Sequence, residues 1–321
     1  MIFVFPGQGS QFVGMGKEIY NNFIAARDVF HEVDEILGRS LSNIIFEGPA
    51  EELTSTENAQ LALMTVSMAI LRALESNLGK RLYLSDKVKY MAGHSVGEYT
   101  ALCASGAISL PFTVQLLKVR SKAMHEAVAC GYGGMVALIG GSIDEVESVV
   151  RAAKTYGICE IANDNCNGQV VVSGVNNALD SLGQLIKGTN IKKVIKLQVS
   201  GPFHSSLMYS AYKEVSNFID CIDINMPTIN VVSNVSASEY VNCSMIKDLL
   251  ARQIVSKVRW RESVMYMIKR GYSHFIEVGA GNVLSNLIKR IDNTVYSVSI
   301  NTTKCIDTIL SDYFDTADTS T

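Results

Sequence analysis

One short segment narrows the possible folds of this chain: the pentapeptide Gly93-His94-Ser95-Val96-Gly97, which matches the pattern G-x-S-x-G. A predicted strand from Val88 to Ala92 precedes it, and a predicted helix from Glu98 to about Ala104 follows. A strand that turns sharply into a helix needs glycine on either side of the serine, whose side chain is pushed outward. The pattern therefore predicts an α/β fold with Ser95 as a candidate nucleophile. The alternative is that Ser95 only caps the helix.

Such a turn also bears on the chemistry of the site. It leaves the Val96 N–H free to stabilise an oxyanion and places Ser95 at the positive end of a helix. The motif indicates acyl chemistry without specifying the acyl group.

A serine nucleophile needs a base, and the chain contains five histidines. His204 lies in the loop Ser200-Gly201-Pro202-Phe203-His204-Ser205, directly after a predicted strand, where functional residues are commonly displayed. A backbone carbonyl can hold an imidazole in the required tautomer, so a Ser–His dyad is chemically sufficient. We therefore predict His204 as the base. Of the other histidines, His31 and His125 lie on predicted helices of mixed polarity. His274 begins an apolar strand, and His94 is adjacent to the serine.

Arg120 stands out on the predicted helix from Pro111 to about His125. At 100° per residue it falls in the middle of an apolar arc, whereas Lys118 and Lys122 lie on the opposite face. An arginine in that position must snorkel or find a partner. Two interpretations stay open: a structural ion pair with Asp or Glu, and a bidentate clamp for a substrate carboxylate inside a cleft.

The order of predicted elements divides the chain into two units. The chain begins with a strand at Met1–Phe5 and helices near Gly16–Leu37 and Asn58–Leu78. From residue 135 a β-α-β-β-α-β order is predicted, as in a ferredoxin-like split unit. Its elements are Met135–Ile139, Ile143–Lys154, Cys159–Ala162, Val170–Ser173, Ala178–Lys187 and Lys193–Val199. We predict a larger α/β domain over 1–130 and 200–321 and a subdomain over 131–199, with strands such as Asn230–Val232 and His274–Val278 completing the larger domain.

Composition excludes several classes of protein. The chain has 321 residues, of which 48% are hydrophobic and 18% charged, which argues against disorder. A net charge of −3 argues against a general nucleic-acid binder. The sequence has no obvious membrane span or signal peptide, so we expect a cytoplasmic protein. Seven scattered cysteines without a C-x-x-C pair argue against a zinc site or a disulfide framework.

Several separated motifs together resemble the malonyl-CoA:acyl carrier protein transacylases of bacterial fatty-acid synthesis. They are Phe5-Pro6-Gly7-Gln8-Gly9-Ser10-Gln11, Gly93-His94-Ser95-Val96-Gly97-Glu98-Tyr99, Arg120, Asn163–Val171, Gly201-Pro202-Phe203-His204-Ser205 and Glu277–Gly281. The resemblance covers nearly the whole chain. It implies a large α/β-hydrolase-like domain with an inserted ferredoxin-like subdomain, in agreement with the element order.

The resemblance also implies roles for individual residues. Ser95 is then the nucleophile and His204 its base, with the backbone N–H groups of Gln8 and Val96 as the oxyanion hole. Arg120 pairs with the malonyl carboxylate. The remaining implied positions are Gln253, whose main chain orients His204, Phe203, which narrows the pocket in malonyl-selective members, and Gln60 and Asn165, which line the cleft.

Two departures from the family pattern stand in this sequence. Gln60-Leu61 replaces a usual Gln-Pro, and the stretch Val255–Trp260 lacks a proline that is often present. The first departure changes a turn and not the chemistry. The second affects the expected backbone conformation near Gln253.

The resemblance implies malonyl transfer by a ping-pong mechanism through a malonyl-serine. The implied partners are malonyl-CoA and acyl carrier protein, which brings its own phosphopantetheine, with no further cofactor and no metal. Lys187, Lys192, Lys193 and Lys196 form a candidate docking patch for an acidic carrier or simply a solvated edge. We expect a monomer that binds neither nucleic acid nor membrane.

Three alternatives use the same scaffold. They are an editing acyl hydrolase, a trans-acting acyltransferase of a polyketide pathway, and a non-enzymatic relic that only binds the carrier. An inward arginine has little to do for uncharged acyl chains, so Arg120 argues against the hydrolase. The joint presence of Ser95, His204 and Arg120 argues against the relic.

Overall fold

The computed structural model describes residues 1–129 and 131–314. Its strands are β1 (Ile2–Phe5), β2 (Tyr90–Gly93), β3 (Gly133–Gly140), β4 (Cys159–Cys166), β5 (Gln169–Val175), β6 (Ile191–Lys196), β7 (Asn230–Val232), β8 (His274–Val278) and β9 (Tyr296–Ile300). Its α-helices are α1 (Lys17–Asn22), α2 (Ile24–Leu37), α3 (Leu41–Glu47), α4 (Ala50–Thr54), α5 (Thr56–Leu78), α6 (Val96–Ala104), α7 (Leu110–Glu126), α8 (Ile143–Ala153), α9 (Asn176–Leu185), α10 (Tyr209–Asp220), α11 (Cys243–Arg252), α12 (Trp260–Lys269), α13 (Val283–Ile291) and α14 (Thr303–Tyr313). Short 3₁₀ turns lie at Leu82–Leu84, Lys154–Tyr156, Ser206–Met208 and Gln253–Val255.

A parallel sheet with the strand order β7-β2-β1-β8-β9 forms the centre of the larger unit. Along β1, Phe3 and Phe5 face a core shared with α2, α5 and α7. Ile2 and Val4 face the opposite core, which contains Trp260 of α12. Both faces of the sheet are thus covered, which explains why β1 is apolar at every position. Ligands of such sheets bind beyond the carboxyl ends of the strands, and the site described below lies there.

The long helix α5 packs inside the larger unit against α2 and α7. Its length and composition alone would allow it to cross a membrane. However, 78% of its most apolar 18-residue stretch is buried within the protein. The burial accounts for its apolar sequence, since a core helix surrounded by other elements is apolar on most faces.

The second sheet is antiparallel, with the strand order β4-β5-β3-β6. Helices α8 and α9 pack on one of its faces through a separate apolar cluster. The N-terminus of α8 carries a capping box between Ser142 and Glu145, whose backbone and side chains hydrogen-bond reciprocally. The chain order of this unit is β-α-β-β-α-β, as predicted.

Several predicted elements differ in their bounds from the observed ones. The stretch predicted as mostly helical from Gly16 to Leu37 contains two helices, α1 and α2, which are separated because Phe23 is extended, with φ −127° and ψ 120°. The last predicted strand of the subdomain, Lys193–Val199, is observed at Ile191–Lys196. Residues 197–199 instead line the cavity next to His204.

Strand β4 is longer than predicted and ends at Cys166 instead of Ala162. The added residues include the polar run from Asn163 to Asn165. In the structure it continues the pairing with β5 through two irregularities, and Asp164 N donates to Val258 O at 3.0 Å. The strand therefore joins the two units and brings polar side chains toward the site.

Candidate active site

The pentapeptide at the end of β2 forms a sharp turn into α6. Ser95 has φ 51° and ψ −108°, a conformation that side chains rarely adopt. A Cβ on Gly93 would lie 1.9 Å from the carbonyl carbon of Gly97, and a Cβ on Gly97 would lie 2.1 Å from Phe5 O. Glycine is therefore required on both sides of the serine, because the turn packs backbone directly against backbone.

His204 meets the serine at this turn. Its Nε2 lies 2.7 Å from Ser95 Oγ, and its Nδ1 lies 2.9 Å from Gln253 O. A carbonyl only accepts hydrogen bonds, so Nδ1 carries the proton and Nε2 is free to accept from the serine hydroxyl. The arrangement is a Ser–His dyad oriented by a main-chain oxygen.

The surroundings of His204 keep its imidazole neutral. Burial, together with the positive charge of Arg120, lowers the pKa of His204 to about 3. The ring is therefore unprotonated near neutral pH and can take a proton from Ser95.

Arg120 is buried, with 1% of its surface exposed, as its place on the apolar arc predicts. Its guanidinium donates to Gln60 Oε1, to Gln253 Oε1 at 3.0 Å and to Ser95 Oγ at 3.0 Å. It also lies 4.8 Å from the ring centre of Tyr99. Within the described residues it forms no ion pair with a carboxylate. The positive charge at the nucleophile is thus met by neutral oxygens only.

A cavity of about 260 Å³ opens above the Ser95–His204 pair. Gln8, Val96, Gln60 and Phe203 line it, together with the loop from Leu197 to Val199. In the part of the chain that the structure covers, neither the Gln8 N–H nor the Val96 N–H donates to a protein acceptor. Both amides remain available to a bound ligand.

Asn165, which the family resemblance placed at the cleft, does not line the cavity. Its Oδ1 is 2.8 Å from His94 Nε2, and Asn163 lines the cavity instead. The two residues are separated by two positions on β4, where the pairing with β5 is irregular.

The structure adds two buried residues that sequence analysis did not select, Asn234 and Glu98. Asn234 Oδ1 accepts from Ser95 N at 2.8 Å, and its Nδ2 donates to Gly93 O at 2.7 Å, so this side chain braces the turn. Glu98 accepts from Asn234 N at 3.1 Å and from the Tyr240 hydroxyl. Burial raises the pKa of Glu98, whereas these hydrogen bonds oppose the rise. A charged residue in the first turn of an otherwise apolar helix was the available signal.

The other sequence candidates lie away from the dyad or on the surface. His31, His125 and His274 are exposed, and His31 contacts Tyr20. The lysine patch lies on and before β6, one of the two edge strands of the antiparallel sheet, with all four lysines exposed: Lys187, Lys192, Lys193 and Lys196. No group of three His, Cys, Asp or Glu side chains suited to a metal ion occurs within 1–129 and 131–314.

The fold, the serine turn and the dyad place the chain in the class of acyl transferases. A family model described as an acyl transferase domain matches residues 2–304.

Relatives specify the family further. A malonyl CoA-acyl carrier protein transacylase of Bacillus subtilis is 40% identical over 95% of this chain and 94% of its own length. The crystal structure of an acyl-carrier-protein S-malonyltransferase from Bartonella henselae has a TM-score of 0.92 and 43% identity, covering 97% of this chain and 98% of that one. A structure of a type II PKS acyl-carrier protein in complex with its malonyl-transacylase has a TM-score of 0.91 and 34% identity, with coverage of 97% and 98%. This chain belongs to the malonyl CoA-acyl carrier protein transacylase family.

Proposed function

We propose that this protein transfers a malonyl group from malonyl-CoA to the phosphopantetheine thiol of an acyl carrier protein. The observation that carries the proposal is the buried guanidinium of Arg120, 3.0 Å from Ser95 Oγ and without a carboxylate partner among the described residues. A dehydrated carboxylate at that position gains a charged partner with two parallel donors. The names of the relatives support the same activity.

In the first half-reaction, Ser95 Oγ attacks the thioester carbonyl while His204 Nε2 takes the hydroxyl proton. The oxyanion of the tetrahedral intermediate is held by the Gln8 and Val96 N–H groups. The carbon–sulfur bond then breaks, His204 returns its proton to the departing CoA sulfur, and malonyl-Ser95 remains. The His204 tautomer set by Gln253 O suits both steps.

In the second half-reaction, the carrier thiol attacks the carbonyl of malonyl-Ser95. His204 takes the thiol proton and returns it to Ser95 Oγ as the ester bond breaks. Both half-reactions use the same cavity, so CoA leaves before the carrier thiol enters. A carrier of fatty-acid or polyketide synthesis presents the same thiol, and the relative solved with a type II PKS carrier protein uses the latter kind.

The finer architecture and setting belong to the same proposal. The parallel sheet supports an α/β-hydrolase-like domain over 1–130 and 200–321, and the antiparallel order β4-β5-β3-β6 supports a ferredoxin-like subdomain over 131–199. The protein acts as a cytoplasmic monomer without a metal or added cofactor. Its partners are malonyl-CoA and the carrier.

The proposal is tested by incubating the purified protein with malonyl-CoA and measuring its intact mass. We expect one malonyl adduct per chain, located by peptide mapping to the peptide that contains Ser95. A protein that stays unmodified while malonyl-CoA is consumed would contradict the acyl-enzyme mechanism.

Replacing Arg120 by alanine should lower kcat/KM for malonyl-CoA by about 10²–10³-fold, because the substrate carboxylate is left buried without a counter-charge. Acylation by acetyl-CoA should be retained or increased. Arg120→Lys should restore only part of the malonyl activity, since an ammonium matches the charge and not the fork. The acylation rates are measured by rapid-quench kinetics with each thioester.

The matched control is Lys118→Ala, on the exposed face of the same helix, which should leave both rates unchanged. Equal losses for malonyl-CoA and acetyl-CoA in Arg120→Ala, together with a sharp fall in Tm, would assign Arg120 a structural role.

Replacing Phe203 by serine should raise the use of methylmalonyl-CoA relative to malonyl-CoA by roughly 10-fold, since one methyl group in a close-fitting pocket is worth about 1–3 kcal/mol. Phe203 lines the cavity directly before the base and is 5% exposed. The measurement is the ratio of kcat/KM values for the two thioesters. Phe218→Ser, on α10, is the control. An unchanged ratio in Phe203→Ser would mean that this ring only packs the core.

A further inference from the structure

Two buried side chains of opposite charge flank Gln253 in this site. The Gln253 side chain accepts from Arg120 Nη2 through its Oε1 at 3.0 Å and donates to Glu98 Oε2 through its Nε2. Glu98 and Gln253 have no exposed surface, and Arg120 has 1%. The amide of Gln253 thus links the Glu98 carboxylate to the Arg120 guanidinium by two hydrogen bonds.

The chemistry of its neighbours determines how this amide must lie. Gln253 Nε2 faces Glu98 Oε2 and also Ser95 O, at 3.0 Å from the latter. A carboxylate and a carbonyl both accept hydrogen bonds, so the NH₂ group must lie on their side. The amide oxygen then points to Arg120, where an acceptor is needed.

The other contacts of Glu98 hold its carboxylate in place. Glu98 Oε1 accepts from the backbone N–H of Asn234 at 3.1 Å and from the Tyr240 hydroxyl at 2.5 Å. The Asn234 N–H belongs to the backbone and cannot become an acceptor. One oxygen of residue 98 is thereby required at Asn234, and the other is left for Gln253.

We propose that Glu98 is a positioning residue for substrate selectivity, whose acceptor-only carboxylate orients the Gln253 amide and through it holds the Arg120 guanidinium toward the substrate carboxylate. The inference rests on the proposed malonyl transfer. It assigns to Glu98 no contact with substrate and no role in moving a proton.

A glutamine at position 98 should disrupt this orientation. Its oxygen is required at the Asn234 N–H, which turns its NH₂ group toward Gln253 Nε2. Two donors then face each other, and the Gln253 amide must turn over, presenting NH₂ to Arg120 and losing that hydrogen bond. The guanidinium loses one of its fixed partners while its charge is unchanged.

The test compares malonyl-CoA with acetyl-CoA acylation of the full-length protein. In Glu98→Gln we expect kcat/KM for malonyl-CoA to fall about 10-fold or more, the usual worth of a hydrogen bond to a charged group. Acetyl-CoA acylation should change less than about 3-fold, because the acetyl group has no carboxylate for the Arg120 guanidinium to bind. The malonyl-to-acetyl ratio therefore falls. In an Arg120→Ala background the Glu98→Gln change should leave the ratio unaltered, because the two residues act as one unit.

Tyr240→Phe is the matched control, since it removes one donor to Glu98 while the Asn234 N–H still fixes the acceptor-only carboxylate. Its Tm should fall while its malonyl-to-acetyl ratio stays at the wild-type value. If Glu98→Gln does not fold, Gln253→Met tests the same relay, because it deletes the side-chain amide and keeps the carbonyl that binds His204. It should lower the ratio in the same way.

A folded Glu98→Gln protein with the wild-type ratio would overturn the inference, as would an equal fall of the ratio in the Arg120→Ala background. With Gln253→Met, an unchanged ratio would overturn it as well. Failure of the proposed function is a separate result, since the wild-type protein would then show no preference for malonyl-CoA over acetyl-CoA.

Discussion

Replacing Ser95 by alanine should abolish the malonyl adduct and lower the transfer rate by about 10⁶-fold, the order of loss when a serine nucleophile is removed from a hydrolytic enzyme. The fold should survive, because the turn depends on the close backbone contacts of Gly93 and Gly97. The adduct is measured by intact mass, and folding by the thermal unfolding curve.

The control is Ser210→Ala, which removes an exposed hydroxyl at the start of α10 and should acylate at the wild-type rate. A stable malonyl adduct on Ser95→Ala protein would place the nucleophile elsewhere.

Replacing His204 by alanine should lower the acylation rate by about 10²–10⁴-fold, the usual contribution of a positioned general base. Ser95 would keep its place in the turn but would have no group to take its proton. Single-turnover acylation by malonyl-CoA measures the effect. Near-normal acylation would transfer the role of base to another residue.

The pH dependence of the wild-type protein checks the same base. The pKa of His204 is lowered to about 3, from an ordinary value of 6.5, so the imidazole of the free enzyme stays neutral as the pH falls through 6.5. We expect kcat/KM for malonyl-CoA to lack an acid limb at that pH, because this parameter reports the free enzyme. The unfolded chain does bind the proton, so the contribution of His204 to stability is complete above pH 6.5 and declines as the pH falls toward 3. An acid limb near pH 6.5 in kcat/KM for malonyl-CoA would contradict a neutral His204 in the free enzyme.

The parts of the site that could be predicted from the sequence depend on local physics. The glycines around Ser95 are needed within one turn of chain, and the place of Arg120 follows from helical periodicity. The same holds for the central sheet, since β7 (Asn230–Val232) and β8 (His274–Val278) were predicted with their observed bounds.

What the sequence did not reveal depends on contacts between distant segments. Asn234 braces the serine turn because β7 pairs with β2, which joins residues 141 positions apart in the hydrogen bond to Gly93 O. Glu98 is one helical turn from Ser95, but its partners Tyr240 and Gln253 come from much later in the chain. The choice between an ion pair and a substrate clamp for Arg120 likewise needed the structure, which places amide oxygens and not a carboxylate against it.

The most direct test of the account is transfer to the second substrate. Purified protein is mixed with malonyl-CoA and holo acyl carrier protein, and the products are followed by mass spectrometry, with apo carrier as the control. We predict malonyl-carrier at a rate proportional to enzyme, none with the apo carrier, and none with Ser95→Ala protein. Release of free malonate without malonyl-carrier would contradict the account, since the site would then deliver the acyl group to water instead of a thiol.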